Sequence, residues 1–305
     1  MTTPNLGLNV VPSILLAEQF QRFPPGFMSP RLVVANCSIQ PDGECSREPN
    51  RPQPALGAFE IYEDSAASTY HSLQVEARKN YSHGYTFSLA YTLSHSIDDV
   101  SDVFPLSGAP ILPQDSFNLR LEKASSNFDV RHRVAASLVW DVPFYKDQKS
   151  VPAYLLRDWQ ISSVFTANSG QPFTLLLPVD ANFDGNLTDR PATTNGLVFF
   201  SGHGRQKAAI ASGKDLNNFV GLGKDGAVGR NSLRGDSFFN LDLALTRSFR
   251  ISESQTLKFR AEFFNLPNRA NFGLPVPILG APGFGSAVDT INRARTIQFA
   301  IKYAF

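Results

Sequence analysis

The chain has 305 residues and a formal net charge of +1, from 28 basic and 27 acidic side chains. Charges this balanced, with no basic run, give no field for nucleic acid, and no stretch approaches the ~18 unbroken apolar residues of a membrane helix. Yet Phe occurs 25 times, only 18% of residues are charged and mean hydropathy is −0.15, a composition suited to many half-apolar strands.

Residues 1–58 read as an irregular segment. The first seven carry no positive charge, and the apolar stretch 10–17 is broken by Pro12 and Ser13. This is not a secretory signal, so an export signal is expected outside this sequence. A short helix is expected near residues 14–23. Cys37 and Cys45 flank a turn-like Ser-Ile-Gln-Pro-Asp-Gly-Glu. Such a pair permits a local disulfide in an oxidising space; the other reading is two free loop thiols. A zinc site would need further Cys or His partners that the segment lacks.

From residue 59 onward the dominant signal is alternation with period two. Residues 68–80 set Leu73, Val75 and Ala77 against Gln74, Glu76 and Arg78. Residues 85–97 set Tyr85, Phe87, Leu89, Tyr91 and Leu93 against Thr and Ser. Residues 130–142 set Val134, Ala136, Leu138 and Trp140 against Arg131, Arg133 and Ser137. Residues 157–178 are expected to form one long strand with a bulge at 169–172. Residues 237–250 set Phe239, Leu241, Leu243 and Leu245 against Asn240, Asp242 and Thr246. Residues 254–264 set Leu257, Phe259 and Phe263 against Lys258, Arg260 and Glu262. Residues 295–305 set Ile297, Phe299, Ile301, Tyr303 and Phe305 against Gln298, Ala300 and Lys302.

Period two fits a soluble sandwich, with apolar faces meeting, and a membrane barrel, with apolar faces on lipid and polar faces on a wet lumen. Length favours the barrel. A strand of ~13 residues, tilted by ~40°, spans roughly 30 Å, enough for a ~25 Å apolar band. Aromatic residues gather at strand ends (Tyr85, Trp140, Phe144, Tyr145, Trp159, Phe249, Tyr303, Phe305), as girdles at two interfaces require. The connections alternate short (81–84, 143–156, 251–253) and long (98–127, 179–236, 265–293), matching periplasmic turns and extracellular loops. Residues 196–229, rich in Gly and Lys and poor in pattern, read as a mobile extracellular loop.

Several segments resemble the C-terminal barrel of TonB-dependent outer-membrane transporters, in particular the Oar-like group. They are Ser-Thr-Tyr-His-Ser-Leu-Gln-Val at 68–75, Tyr-Thr-Leu-Ser-His-Ser-Ile-Asp-Asp at 91–99 and Phe-Asp-Val-Arg-His-Arg at 128–133. Asp-Trp-Gln-Ile at 158–161 is followed by Ser-Gly-Gln-Pro-Phe at 169–173, and later come Phe-Arg-Ala-Glu-Phe-Phe-Asn at 259–265 and the terminal Phe305. The resemblance implies a barrel of about 22 strands closed by a plug, importing ligand with energy from the inner membrane. Here seven long strands are expected and no plug, so the fold class is all-β, an incomplete antiparallel transmembrane barrel. Residues 59–305 then form the C-terminal part of a receptor, whose remaining strands and plug, and through the plug the TonB system, are its partners together with outer-membrane lipid. The resemblance also makes Tyr303 and Phe305 a signal for the barrel-assembly machinery. A small barrel acting as an adhesin without transport is the alternative, and a soluble β-sandwich binding module a third.

Nothing points to an enzyme: Gly-x-Ser-x-Gly, His-Glu-x-x-His and Walker loops are all lacking. Arg131, Arg133, Lys258, Arg260, Glu262 and Lys302 are expected to face the lumen, as a solute or plug contact or as a plain wet wall. The loop from Asp180 to Asp189 offers oxygen ligands at relative positions 1, 3 and 5 and Gly at 6, like the first half of a calcium loop. Asp180, Asn182, Asp184 and the Asn186 carbonyl would be ligands. Position 12 is Pro191, so Asp189 must fold back as the closing carboxylate.

Overall fold

A computed structural model describes residues 66–101, 112–115, 118–144, 157–182 and 187–305, and the backbone of Ser38–Ile39 and Cys45–Ser46, which pair antiparallel. Seven long strands follow in chain order: β1 (Ser68–Ser82), β2 (Tyr85–Asp98), β3 (His132–Asp141), β4 (Trp159–Asn168), β5 (Phe238–Arg250), β6 (Thr256–Phe264) and β7 (Thr296–Ala304). Each pairs antiparallel with its neighbour in sequence, giving one meandering sheet. Among the described residues no second large sheet lies face to face on it as a sandwich would require. The sheet is not closed: β1 and β7 are its edges among the described residues.

The pairing register keeps the two faces apart across the whole sheet. One row reads Tyr85, Trp140, Ile161, Leu245, Ala261, Phe299. The row beside it, on the other face, reads Thr86, Val139, Ser162, Ala244, Glu262, Gln298. A slip of one residue in any strand would put apolar groups on the polar face, so the alternation itself pins the register. Leu73, Val75, Leu89, Ile297, Phe299 and Ile301 are exposed on the apolar face.

β1 turns into β2 through His83 and Gly84, both with positive φ (55° and 81°). That is the type I′ geometry that matches strand twist. At the same end β3 stops, β4 starts and β5 turns into β6. Here the structure corrects one expectation: Tyr85, Trp140, Phe144, Trp159, Phe249, Tyr303 and Phe305 do not divide between two girdles but all lie at the short-turn end. A meander brings each strand's end beside the next strand's start, so Tyr85 lies opposite Trp140 and Leu257 opposite Tyr303. Two cations also enter this girdle from the apolar face. Lys79 Nζ lies 3.4 Å from the Tyr85 ring centre, and the Arg247 guanidinium lies 4.2 Å from that of Phe249. An aromatic face replaces part of the water each charge gives up.

A second correction concerns residues 157–178. The strand ends at Asn168, and Pro172–Phe173 pairs instead with Leu233–Arg234 outside the main sheet. Gly170 packs so closely on the Gly235 carbonyl that a Cβ would collide with it. From there Phe173, Leu175, Leu177, Val179 and Ala181 bury themselves with Leu216, Phe219 and Leu279. The long connections therefore pack into a cap with its own core. Residues 196–229 belong to this cap rather than forming a mobile loop. Leu197–Phe199 pairs with Ala208–Ile210, and Phe219 is 0% exposed. Full burial of such a side chain contributes roughly 1.5–3 kcal/mol.

Candidate functional site

The cap meets the sheet at the long-connection end, and buried ion pairs stitch the junction. Glu122 is the first centre. Arg190 Nη1 donates to both its carboxylate oxygens, at 2.8 and 2.9 Å, and the Gln114 N–H donates to Oε1 at 3.0 Å. Gln114 is itself fully used: its side-chain oxygen accepts from Arg190 N–H, and its amide donates to the Gly226 carbonyl. Arg230 donates to the Glu122 carbonyl at 2.7 Å and to the Asp98 carboxylate at the end of β2. Two connections and one strand end thus converge on two buried guanidiniums.

Asp129 is the second centre. Its carboxylate accepts from Ser96 N–H at 2.8 Å, from Arg131 Nε at 3.1 Å and from Arg234. Asp236 is the third, accepting from Lys207 Nζ at 2.9 Å and paired with His203 Nδ1 at 2.6 Å. Burial pushes both carboxyls up. For Asp129 the Ser96 N–H and the Arg234 and Arg131 guanidiniums outweigh it; for Asp236, Lys207 and His203 do. Both end below the ordinary carboxylate range. Groups lowered this way contribute stability that is present above the ordinary value of ~3.9 and lost as pH falls through the native one. The cap should therefore resist protease equally at pH 7 and 5 and open below about pH 4. Limited proteolysis across pH checks this; opening already at pH 6 would contradict it.

Asn265 and Asn271 finish the junction on the other side. Asn265 follows β6 with φ of 50° and donates to the Arg269 and Arg293 carbonyls. The Asn271 amide accepts from Phe239 N–H and donates to the Phe239 carbonyl, both at 2.9 Å, replacing a missing strand partner.

The expected site residues separate into distinct places. Arg133, Lys258, Arg260, Glu262 and Lys302 share the polar face of the sheet. Arg260 and Glu262 pair at 2.6 Å, while Lys258 and Lys302 lie directly opposite each other. Arg131 precedes β3 and sits at the rim, on Asp129 and His95. Tyr303 lies in β7, and the Phe305 ring stacks on it at 5.7 Å, 93% exposed. Asp180, Asn182 and Asp189 are buried in the cap. The Asp189 carboxylate accepts from Ala181 N–H, while Asn182 donates to the Gln114 carbonyl and to Asp225. Asp184 and Asn186 lie outside the described residues, as do Cys37, Tyr145 and the helix expected near 14–23. Of the cysteines, Cys45 is described only as backbone opposite Ile39.

Sequence reasoning missed Gln114, Glu122, Arg190, Arg230 and Asp236. One signal was available, Phe238. It breaks the alternation of β5 and stands on the polar face, in a row with Thr92, Arg133 and Asn168. Beside it, between sheet and cap, is a cavity of about 320 Å³.

A family model described as an outer membrane beta barrel domain matches residues 17–298. No curated protein and no solved structure matches the chain.

Proposed function

The chain belongs to the outer membrane beta barrel domain family, and on that premise we propose that it forms barrel wall and outer mouth of a TonB-dependent receptor for ligand uptake. The observation that carries the proposal is the sorting of the connections. Among the described residues the short ones lie at one end of the sheet, and the long ones pack into a cap at the other. A wall with a built cap at one end suits a port that meets ligand on one side. The apolar face lies on lipid and the polar face lines the lumen, where Arg133, Arg260 and Lys302 meet a plug. The strand directions extend the argument. β1 and β7 run the same way, so antiparallel closure needs an odd number of further strands.

Photo-crosslinking in the native outer membrane tests this reading. Benzoyl-phenylalanine replacing Arg260 or Lys302 should link to a plug-type domain. Links to lipid alone, or none, would overturn it in favour of a surface-binding barrel without transport. One feature favours that second reading: Val198, Phe199 and Phe200 form an exposed apolar tip on the cap.

Two further expectations belong to the same reading. Replacing Tyr303 and Phe305 together with Ala removes two exposed end aromatics and should sharply lower insertion by the barrel-assembly machinery. Unchanged surface levels on intact cells would sink that role. The loop around Asp180 and Asp189 takes calcium weakly, at about 10⁻⁴–10⁻³ M. Calorimetry on the full chain, with Asp180 and Asp184 changed to Ala as control, should register calcium-dependent heat only in the unaltered protein.

A further inference from the structure

We propose that the cavity between the polar face and the cap binds one neutral sugar ring. This deepens the uptake reading and rests on it for the cavity's place at the outer mouth. At about 320 Å³ the cavity sits at the small end of small-molecule sites, with room for one ring rather than a chain. Its walls combine Phe238, Phe272 and Leu274 with Asn168, Gln171 and Asp236. Gly273 offers bare backbone there, because the Asp289 carboxylate already occupies the place a Cβ would take.

Charge selects against ions. The Asp236 side chain is 1% exposed and already paired with Lys207 and His203, and Arg269 Nη2 lies 3.0 Å from His203 Nδ1. A cationic ligand would compete with Lys207, and an anionic one would face the Asp236 carboxylate. A purely apolar ligand fails on a different ground. Asn168 Oδ1 is buried and accepts no hydrogen bond, an unmet acceptor that a ligand donor would satisfy. What fits is a neutral ring with hydroxyl donors on its edge for Asn168 and C–H faces for the two phenyl rings. A pyranose has both.

Saturation-transfer NMR on the full chain tests this, with the protein extracted from the outer membrane in a detergent that has no sugar head group. The probes are D-glucose, D-galactose, D-mannose and N-acetyl-D-glucosamine, each at tens of millimolar, with alanyl-alanine as the peptide comparison. At least one sugar should receive saturation, with millimolar affinity. Asn168→Leu should weaken binding about tenfold or more, and Phe272→Ala should also weaken it. Heat-modifiable mobility verifies that each variant is assembled, and Phe272→Ala serves alone if Asn168→Leu is not. No transfer to any of the sugars overturns the proposal. So does undiminished transfer in the assembled variants, or transfer to alanyl-alanine alone. Binding needs no transport, so a negative result here leaves the crosslinking result standing, and the reverse also holds.

Discussion

Replacing Glu122 with Ala should destabilise the cap by about 3–5 kcal/mol, because it leaves buried guanidinium charge uncompensated. Glu122 is 5% exposed, and the side chains of Arg190 and Arg230 that face it are 4% and 9% exposed. Arg190 loses both its carboxylate contacts in the variant. Arg230 keeps Asp98 and the residue-122 carbonyl, so the larger share of the loss falls on Arg190. Glu122→Gln keeps the shape and one acceptor and should cost clearly less. Thermal unfolding in detergent, read beside protease cleavage of the cap on intact cells, separates these outcomes. Wild-type protection in Glu122→Ala would mean that the ion pairs do not hold the cap down.

Phe299→Arg should cost about 2–4 kcal/mol, the penalty for a cation near the bilayer midplane on a barrel's lipid face. Ala300→Arg, one residue along β7, should cost much less. Phe299 lies opposite Ala261 and stacks with Phe259, whose ring centre is 6.2 Å away. Ala300 lies opposite Arg260 on the polar face. An arginine at 300 would meet a like charge there, but in a wet lumen that repulsion is screened. The amount of assembled, heat-modifiable protein in the outer membrane reports both variants. Equal losses would contradict a lipid-facing row through Phe299.

The meander was legible without coordinates because each strand carries its own instruction. Alternation over Tyr85–Asp98 or Thr296–Ala304 specifies extended backbone and a two-faced environment from neighbours in sequence alone. Antiparallel pairing with the next strand then follows from short turns such as His83-Gly84. Six of the seven strands accordingly form within a few residues of where the pattern places them; β4 is the exception, ending ten residues early at Asn168. The same period-two signal misled there, because Phe173, Leu175, Leu177 and Val179 also alternate. Period reports that alternate residues are buried; it does not report whether a sheet face or a loop core buries them.

Composition, strand number, face assignment and the contrast of short and long connections were thus determined by the sequence itself, since all rest on local periodicity. Only the tertiary structure decided that the long connections form a cap. Its centres join residues far apart in sequence, such as Gln114 with Gly226 and Asp98 with Arg230. No local pattern encodes such a pair, because a buried charge is stable only when its distant partner arrives. The cavity beside Phe238 and Asn168 has the same origin: one wall comes from β4 and β5, the other from the connection after β6.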